Sequence, residues 1–157
     1  MSDHQDLRSR AAQLLDGLLA DAAAFAAALE DERSALQQRD AEAIDATSVS
    51  KRELVKAIER RSAALVDLLG LPGTAPAAAD VETALAQFQL DGSWRSLTGQ
   101  LAQCRDDNNV NGAIIAMSRN LNDRLLALFD GGAPGASLYG DQGQVMRQGR
   151  SLAITQV

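Results

Sequence analysis

The sequence has 157 residues, which is about the length of one domain. Hydrophobic residues make up 46% of the chain but aromatic residues only 3%, so a core must be built from Leu, Ala, Ile and Val, which suits closely packed helices. The net charge of −6 argues against a nucleic acid or an anionic membrane as partner, because both need a basic face. Cys104 is the only cysteine, which excludes an intramolecular disulfide. No secretory signal is recognisable, and no apolar run approaches the roughly 18–20 residues that span a bilayer, so we expect a soluble, cytoplasmic protein without direct membrane insertion.

The first forty residues carry the pattern of one long helix. Apolar residues recur at steps of three and four, which places them on one stripe, and no proline interrupts them. The alanine-rich stretch from Ala20 to Asp31 has the highest helix propensity available. We expect a helix from about residue 5 to residue 38. Its stripe consists of Leu7, Ala11, Leu14, Leu18, Ala22, Phe25, Leu29 and Leu36.

A second long helix is predicted after Asp40, whose side chain is a suitable N-cap, with Glu42 in the first turn. Its stripe has the same spacing but a polar middle. The stripe consists of Ile44, Thr47, Lys51, Leu54, Ile58, Arg61, Leu65 and Leu68. Basic residues cluster in this helix: Lys51, Arg52, Lys56, Arg60 and Arg61. Because the whole chain is acidic, we interpret this cluster as a solvated face paired with neighbours such as Glu53 and Glu59, rather than as a phosphate or nucleic-acid site.

Two prolines and two glycines break the helical pattern between Gly70 and Asp80. A short helix is expected from Asp80, as its N-cap, to about Phe88, and Ser93 is then the expected N-cap of a third long helix. Glycines and a proline in residues 130–135 end this helix. The pattern predicts an all-α fold, an antiparallel bundle of three long helices plus a short helix, over residues 1–130.

The third long helix carries a polar stretch, NNVNG, at residues 108–112. Asn-Gly between apolar runs is typical of a hairpin, but the flanking residues keep the helical period, so a helix is favoured. Asn108 and Asn111 lie on the apolar stripe and are predicted to face inward, like polar residues that fix helix register. Gly112 costs roughly 1 kcal/mol relative to alanine, which indicates a close backbone crossing, a kink or a yielding point. Trp94 is expected to begin this helix and to pack across the bundle end, near the loop Gly70–Asp80.

Residues 131–157 look different from the rest of the chain, because they are rich in glycine. Leu138, Val145 and Leu152 are seven residues apart, and so are Tyr139, Met146 and Ala153, which indicates one apolar helical face. Gly140, Gly143 and Gly149 together cost such a helix roughly 3 kcal/mol. We therefore predict a marginally helical C-terminal tail that becomes ordered when its apolar face meets a partner. A disordered terminus with accidental spacing is the alternative.

The sequence contains no recognisable catalytic or cofactor site. His4 is the only histidine, so Cys104 has no partner for a Cys–His nucleophile and is expected to be a small core residue. Ligands for zinc are too few, and the glycine-rich stretch after residue 130 lacks the Lys-Ser/Thr of a phosphate-binding loop. We expect no enzyme activity, no metal and no cofactor.

Several of these motifs together resemble the FlgN family of flagellar export chaperones. They are LEDERSALQQRD (Leu29–Asp40), Lys51 with ELVKAIERRSAALVDLLG, Trp94, NNVNG, LLALF and LYGDQG. The combination of Asn-x-x-Asn-Gly within a helix and Leu-Tyr-Gly-x-x-Gly some 25 residues later is the most specific of them. The resemblance covers essentially the whole chain.

The resemblance implies a cytoplasmic chaperone, without catalysis, for hook–filament junction proteins of the FlgK and FlgL type. It implies that the C-terminal segment binds the client, which maps onto Leu138, Val145, Met146 and Leu152. It also implies that Tyr139 docks to the export gate protein FlhA. We expect a monomer or a weak homodimer.

Two other functions are compatible with the residues. The chain is alternatively a self-assembling coiled-coil scaffold without a secretion client, or a bundle that binds a small molecule through Asn108 and Asn111. The first predicts a stable oligomer in the absence of a client, and the second predicts a ligand-dependent rise in melting temperature.

Overall fold

The structure is a computed structural model that describes residues 2–73 and 76–129, with the side chains of residues 3–73 and 76–127. These residues form four helices and no strand: α1 (Ser2–Gln38), α2 (Ala41–Leu68), α3 (Ala78–Ala86) and α4 (Asp91–Phe129). The prediction of an all-α chain is confirmed. The predicted tail, residues 131–157, lies outside the described residues. Residue contacts divide the chain into two units, Met1–Ile114 and Ile115–Val157, so α4 has residues in both.

The helix starts agree only in part with the sequence. Asp40 is the N-cap of α2, as predicted, because its Oδ1 accepts a hydrogen bond of 3.0 Å from the backbone N of Ala43. The predicted N-caps at Asp80 and Ser93 are wrong. The cap of α3 is Ala77, whose carbonyl already accepts from the backbone N of Asp80 at 2.9 Å. Ser93 lies within the first turn of α4, so each of these two helices begins two residues earlier than its supposed cap.

Three helices end in the same way, with one residue in the left-handed region. These residues are Arg39 (φ 56°) after α1, Gly70 (φ 64°) after α2 and Gln89 (φ 60°) after α3. In each case the next residue's N–H reaches back to a carbonyl five residues earlier. The bonds join Asp40 N to Ala35 O (3.0 Å), Leu71 N to Val66 O (3.3 Å) and Leu90 N to Leu85 O (3.1 Å). This Schellman arrangement satisfies carbonyls at the helix end and reverses the chain sharply.

Cross-helix contacts give the direction of the long helices within the first unit. Arg61 of α2 pairs with Asp21 of α1, and Lys51 pairs with Glu32, so α1 and α2 run antiparallel. The α1–α4 bonds instead rise together along both helices. They join Cys104 to Ala22 O and Asn111 to Leu29 O, and in both bonds the partners are 82 residues apart. These segments of α1 and α4 therefore run parallel.

The apolar core of the first unit lies toward the N-terminal end of α1. The residues of this core cluster are Ala11, Leu15, Leu18, Ala22, Leu65, Val81, Leu85 and Leu97. The short helix α3 supplies Val81 and Leu85, so four helices contribute to this core. Trp94 and Leu71, which follows Gly70, pack against it as half-buried side chains. The predicted stripe of α2 points inward along its whole length, since none of its eight residues is exposed.

Helix α1 is long and apolar enough to meet a simple criterion for a membrane span, which the sequence-based expectation did not foresee. An 18-residue window within Asp3–Gln38 has a mean hydropathy of 1.4. The alanine and leucine content of α1 explains this value, and a core helix of a soluble protein meets the same criterion. The side of α1 that faces the core carries Ala11, Leu15, Leu18 and Ala22.

Candidate functional site

The most extensively hydrogen-bonded polar feature of the first unit is a network around Asn111, which is completely buried in α4. Its Nδ2 donates to the carbonyl of Leu29 at 2.9 Å and to Oε2 of Glu32 at 2.9 Å, both in α1. Its Oδ1 accepts a bond of 3.1 Å from Nε of Arg33. Because both ends of the amide are used by protein groups, the structure gives no support to a small-molecule site at Asn111.

The same network extends to α2 through Lys51. Glu32 is only 2% exposed, and its Oε2 accepts from Lys51 Nζ at 2.8 Å. Lys51 Nζ also donates to Oδ1 of Asn108 in α4 at 2.8 Å. The Glu32 carboxylate thus receives one donor from α2 and one from α4, so it links all three long helices.

The outer edge of the network is partly open to solvent. Arg33 donates through its terminal nitrogen to Asp107 at 3.2 Å, and both side chains are half-buried. Asn108 is exposed, so the expectation that it faces inward is wrong. It lies three residues before Asn111, about 60° around the helix, which places it at the edge of the buried stripe, where it meets Lys51.

Every polar atom of this network that is buried has a partner. Among the described residues, no buried side-chain nitrogen or oxygen lacks a hydrogen bond. An unpaired buried charge is strongly unfavourable, whereas a fully paired one is tolerated and restricts which helix registers are possible. A slip of α4 by one residue would remove the amide from Glu32 and Leu29. The arrangement is therefore suited to fixing register.

For the neighbouring glycine, Gly112, one of the three roles expected from the sequence is excluded. Gly112 is exposed, and a Cβ added there would meet no atom within 4 Å, so the expectation of a close backbone crossing is wrong. The close approach occurs instead at Gly17 in α1, where an added Cβ would lie 2.9 Å from Nε of Arg61. Arg61 also donates to Gly17 O at 3.1 Å and to Asp21.

The basic residues of α2 divide into two groups. Lys51 and Arg61 pair with carboxylates of α1 and not with neighbours in α2. The Lys51 side chain is 18% exposed, so the interpretation as a solvated face is wrong for Lys51, whereas the Arg61 side chain is still 43% exposed. Lys56 pairs with Glu53 at 3.0 Å, and both side chains are more than 60% exposed, as expected of a solvated pair. Lys51 and Arg61 occupy stripe positions, and so does Glu32, three residues after Leu29. A charged residue at a position of an otherwise apolar stripe was the sequence signal that could have identified these inter-helix ion pairs.

Cys104 is a buried core thiol, 2% exposed, whose Sγ lies 3.8 Å from the carbonyl of Ala22. Burial raises the pKa of the thiol, the charge of Asp107 raises it further, and a backbone hydrogen bond opposes the two. The thiol is therefore protonated at neutral pH and is a poor nucleophile. Among the described residues, no group of three His, Cys, Asp or Glu side chains is placed to hold a metal ion.

The predicted structural residue Trp94 lies in the first turn of α4, half-buried against the core cluster. The client-binding candidates Leu138, Val145, Met146 and Leu152, and the gate-docking candidate Tyr139, lie outside the described residues. The structure thus brings Asn111 and Asn108 together with Lys51. The sequence analysis missed Glu32, Arg33 and Asp107 as members of the same network.

In the second unit, the described part of α4 exposes an apolar face. Met117 is 76% exposed, Leu121 51% and Leu125 44%, at steps of four residues, and Leu126 beside them is 59% exposed. The spacing places the first three on one side of the helix. Several exposed aliphatic side chains in a row are typical of a surface that binds another protein.

Comparison with known proteins gives one match. The family model described as FlgN protein matches residues 1–147 of the 157. None of the curated proteins matches the chain, and none of the solved structures does.

Proposed function

Because the chain belongs to the FlgN family of flagellar export chaperones, we propose that it is a cytoplasmic chaperone for hook–filament junction proteins of the FlgK and FlgL type. In this proposal it binds the client before export and delivers it to the gate protein FlhA. The match over residues 1–147 carries the proposal. The family consists of soluble chaperones rather than known enzymes, in keeping with the expectation that the chain has no catalytic role.

The exposed apolar face of α4 supports the proposal. Met117, Leu121 and Leu125 are aliphatic side chains that water surrounds for about half of their surface or more. Burying each of them against a client contributes roughly 1.5–3 kcal/mol before ordering costs. A chaperone whose client contact must later be released is well served by a short row of such side chains.

We propose that client binding continues into the tail, residues 131–157, following an antiparallel bundle of the three long helices. Leu138, Val145, Met146 and Leu152 form its client-binding face. The tail glycines cost a helix roughly 3 kcal/mol, which several buried aliphatic side chains exceed, so client binding drives the tail to fold. The expected free state is a monomer or a weak homodimer.

Paired tail variants test the client site. Val145→Asp with Leu152→Asp should weaken capture of a FlgK-type client at least about tenfold, because two charges would have to be buried. The matched control is Gln144→Asp with Ser151→Asp, which adds the same charge at the same seven-residue spacing but on the opposite side of the predicted helix, and should capture the client normally. Circular dichroism and melting should be unchanged in both. Intact capture by the first variant would move the client site onto the helices.

Tyr139 is tested separately, because its proposed partner is the gate and not the client. Tyr139→Ala should retain client capture yet reduce the motility of flagellated cells that produce the variant. Tyr139→Phe shows whether docking to the gate requires the aromatic ring or the hydroxyl group. Loss of client capture by Tyr139→Ala would contradict the division of roles. A stable oligomer formed by the purified chain without client, seen by sedimentation, would instead favour the scaffold function.

A further inference from the structure

A groove opens in the half of the first unit that is remote from α3. Phe25 of α1 and Val55 of α2 form its apolar part, and Val55 is 40% exposed. Lys51, Arg52 and Lys56 of α2 line its rim. Among the residues that the structure describes, no acidic side chain lines the groove, although the chain as a whole carries a net charge of −6.

The groove lies where packing around the long helices is incomplete. At the other end α3 acts as a fourth helix, since Val81 and Leu85 complete the core cluster. In the half that contains the groove, the described residues include no helix that plays this part. The buried residues there are small or few: Glu32 and Asn111 of the polar network, with Ala28, Leu29, Ala35 and Cys104. An apolar groove between helices accepts an amphipathic helix through side chains at three- and four-residue spacing.

The rim has cationic groups that an incoming carboxylate can reach. Arg52 is exposed and forms no salt bridge with any residue that the structure describes. Lys56 has only the solvated pair with Glu53, and exposed pairs of this kind contribute little, so Lys56 exchanges partners easily. Lys51 is committed to Glu32 and Asn108 and fixes the edge of the groove.

We infer that this groove is a docking site for an acidic amphipathic helix of a partner protein. Leucine-type side chains of the partner lie on Phe25 and Val55, and carboxylates on either side of them meet Arg52 and Lys56. Residues 130–157 suit the groove less well, because Asp130 and Asp141 are balanced by Arg147 and Arg150. A second copy docked about a two-fold axis suits it less well, because the same basic rim would then face itself. The site is separate from the proposed client site and does not depend on it.

The test uses the full chain and two synthetic peptides of about 16 residues, long enough for roughly four helical turns. One has leucines at helical spacing flanked by glutamates, and the other has lysine in place of each glutamate. Amide chemical shifts locate binding, and fluorescence anisotropy measures the dissociation constant. The acidic peptide should shift signals around Phe25, Ser48, Arg52 and Val55, and affinity should fall as salt is raised. The lysine peptide should bind at least about tenfold more weakly.

Matched variants distinguish binding in the groove from non-specific electrostatic attraction between the peptide and the protein surface. Arg52→Glu and Val55→Asp should each weaken the acidic peptide at least about tenfold. Arg10→Glu in α1 and Val110→Asp in α4 make the same changes at exposed positions that do not line the groove, and should change affinity by less than about twofold. The Val145→Asp, Leu152→Asp chain should bind the peptide normally, so this inference and the proposed client site fail independently.

Three results would overturn the inference. The first is equal affinity for both peptides, or a loss of affinity in the control variants as large as in Arg52→Glu and Val55→Asp. The second is a change in the signals of residues 130–157 when Val55→Asp is introduced without peptide, which would assign the groove to the chain's own tail. The third is a concentration-dependent mass that Val55→Asp abolishes, which would assign it to a second copy.

Discussion

Replacement of Lys51 by alanine should destabilise the protein far more than its place in a basic cluster suggests. The change leaves the Glu32 carboxylate, 2% exposed, with Asn111 as its remaining described donor. Breaking a buried ion pair on one side costs about 3–5 kcal/mol. The Lys51 side chain is 18% exposed, so water replaces part of the lost interaction, and we expect a loss of about 2–4 kcal/mol.

Urea denaturation followed by circular dichroism measures this loss, and Lys56→Ala is the matched control. Lys56 is also a lysine of α2 paired with a glutamate, but its pair is solvated, so its loss should cost less than about 1 kcal/mol. The double variant Glu32→Met, Lys51→Met should recover most of the stability, because no charge is left buried. If Lys51→Ala and Lys56→Ala unfold at the same urea concentration, the network does not hold the helices together.

Three further outcomes are expected. Arg39→Gly should raise the free energy of unfolding by about 0.5–1 kcal/mol in urea denaturation, because glycine adopts φ 56° without strain; an unchanged or lower value would refute the strain. Burial raises the pKa of Cys104, so the folded state binds the thiol proton more tightly than the unfolded state does. The protonated thiol therefore contributes to folding stability below the ordinary thiol pKa of about 8.5, and this contribution is lost as pH rises through the raised pKa of the folded state. Denaturation across alkaline pH should show a steeper decline than in Cys104→Ala, and identical slopes would contradict this. Trp94 should emit at shorter wavelength than free tryptophan and shift red on unfolding, whereas a fully solvated native spectrum would place it outside the core.

Periodicity predicted the helices well, because a long stripe of apolar residues permits few other structures. All eight stripe positions of α2, from Ile44 to Leu68, avoid full exposure. The end of α1 agrees with the expected residue 38, but the left-handed turn residues Arg39 and Gln89 were not predicted, since neither is a glycine. Only the backbone bonds at those turns reveal them, and no residue type announces them.

The polar network marks the limit of sequence reasoning in a different way. Glu32, Lys51 and Asn111 each occupy a stripe position, so each is recognisable as a polar residue that faces other helices. Which of them meet depends on the direction and register of the packed helices, and these are tertiary properties. Asn108 shows the same limit, because three residues of helix separate a buried amide from an exposed one.

The 82-residue separation between partners in α1 and α4 has a kinetic consequence. The α1–α2 hairpin closes across two residues, Arg39 and Asp40, whereas α4 reaches α1 only after most of the chain exists. Contacts between residues distant in sequence form slowly, because the entropy of closing the loop is lost before the contact energy is gained. The hairpin should therefore form first, which φ values near one at Asp40 and near zero at Leu97 would establish. Until α4 docks, the side of α1 that carries Ala22 and Leu29 is exposed to solvent. A chain that is still being synthesised therefore exposes apolar surface that can associate with other chains.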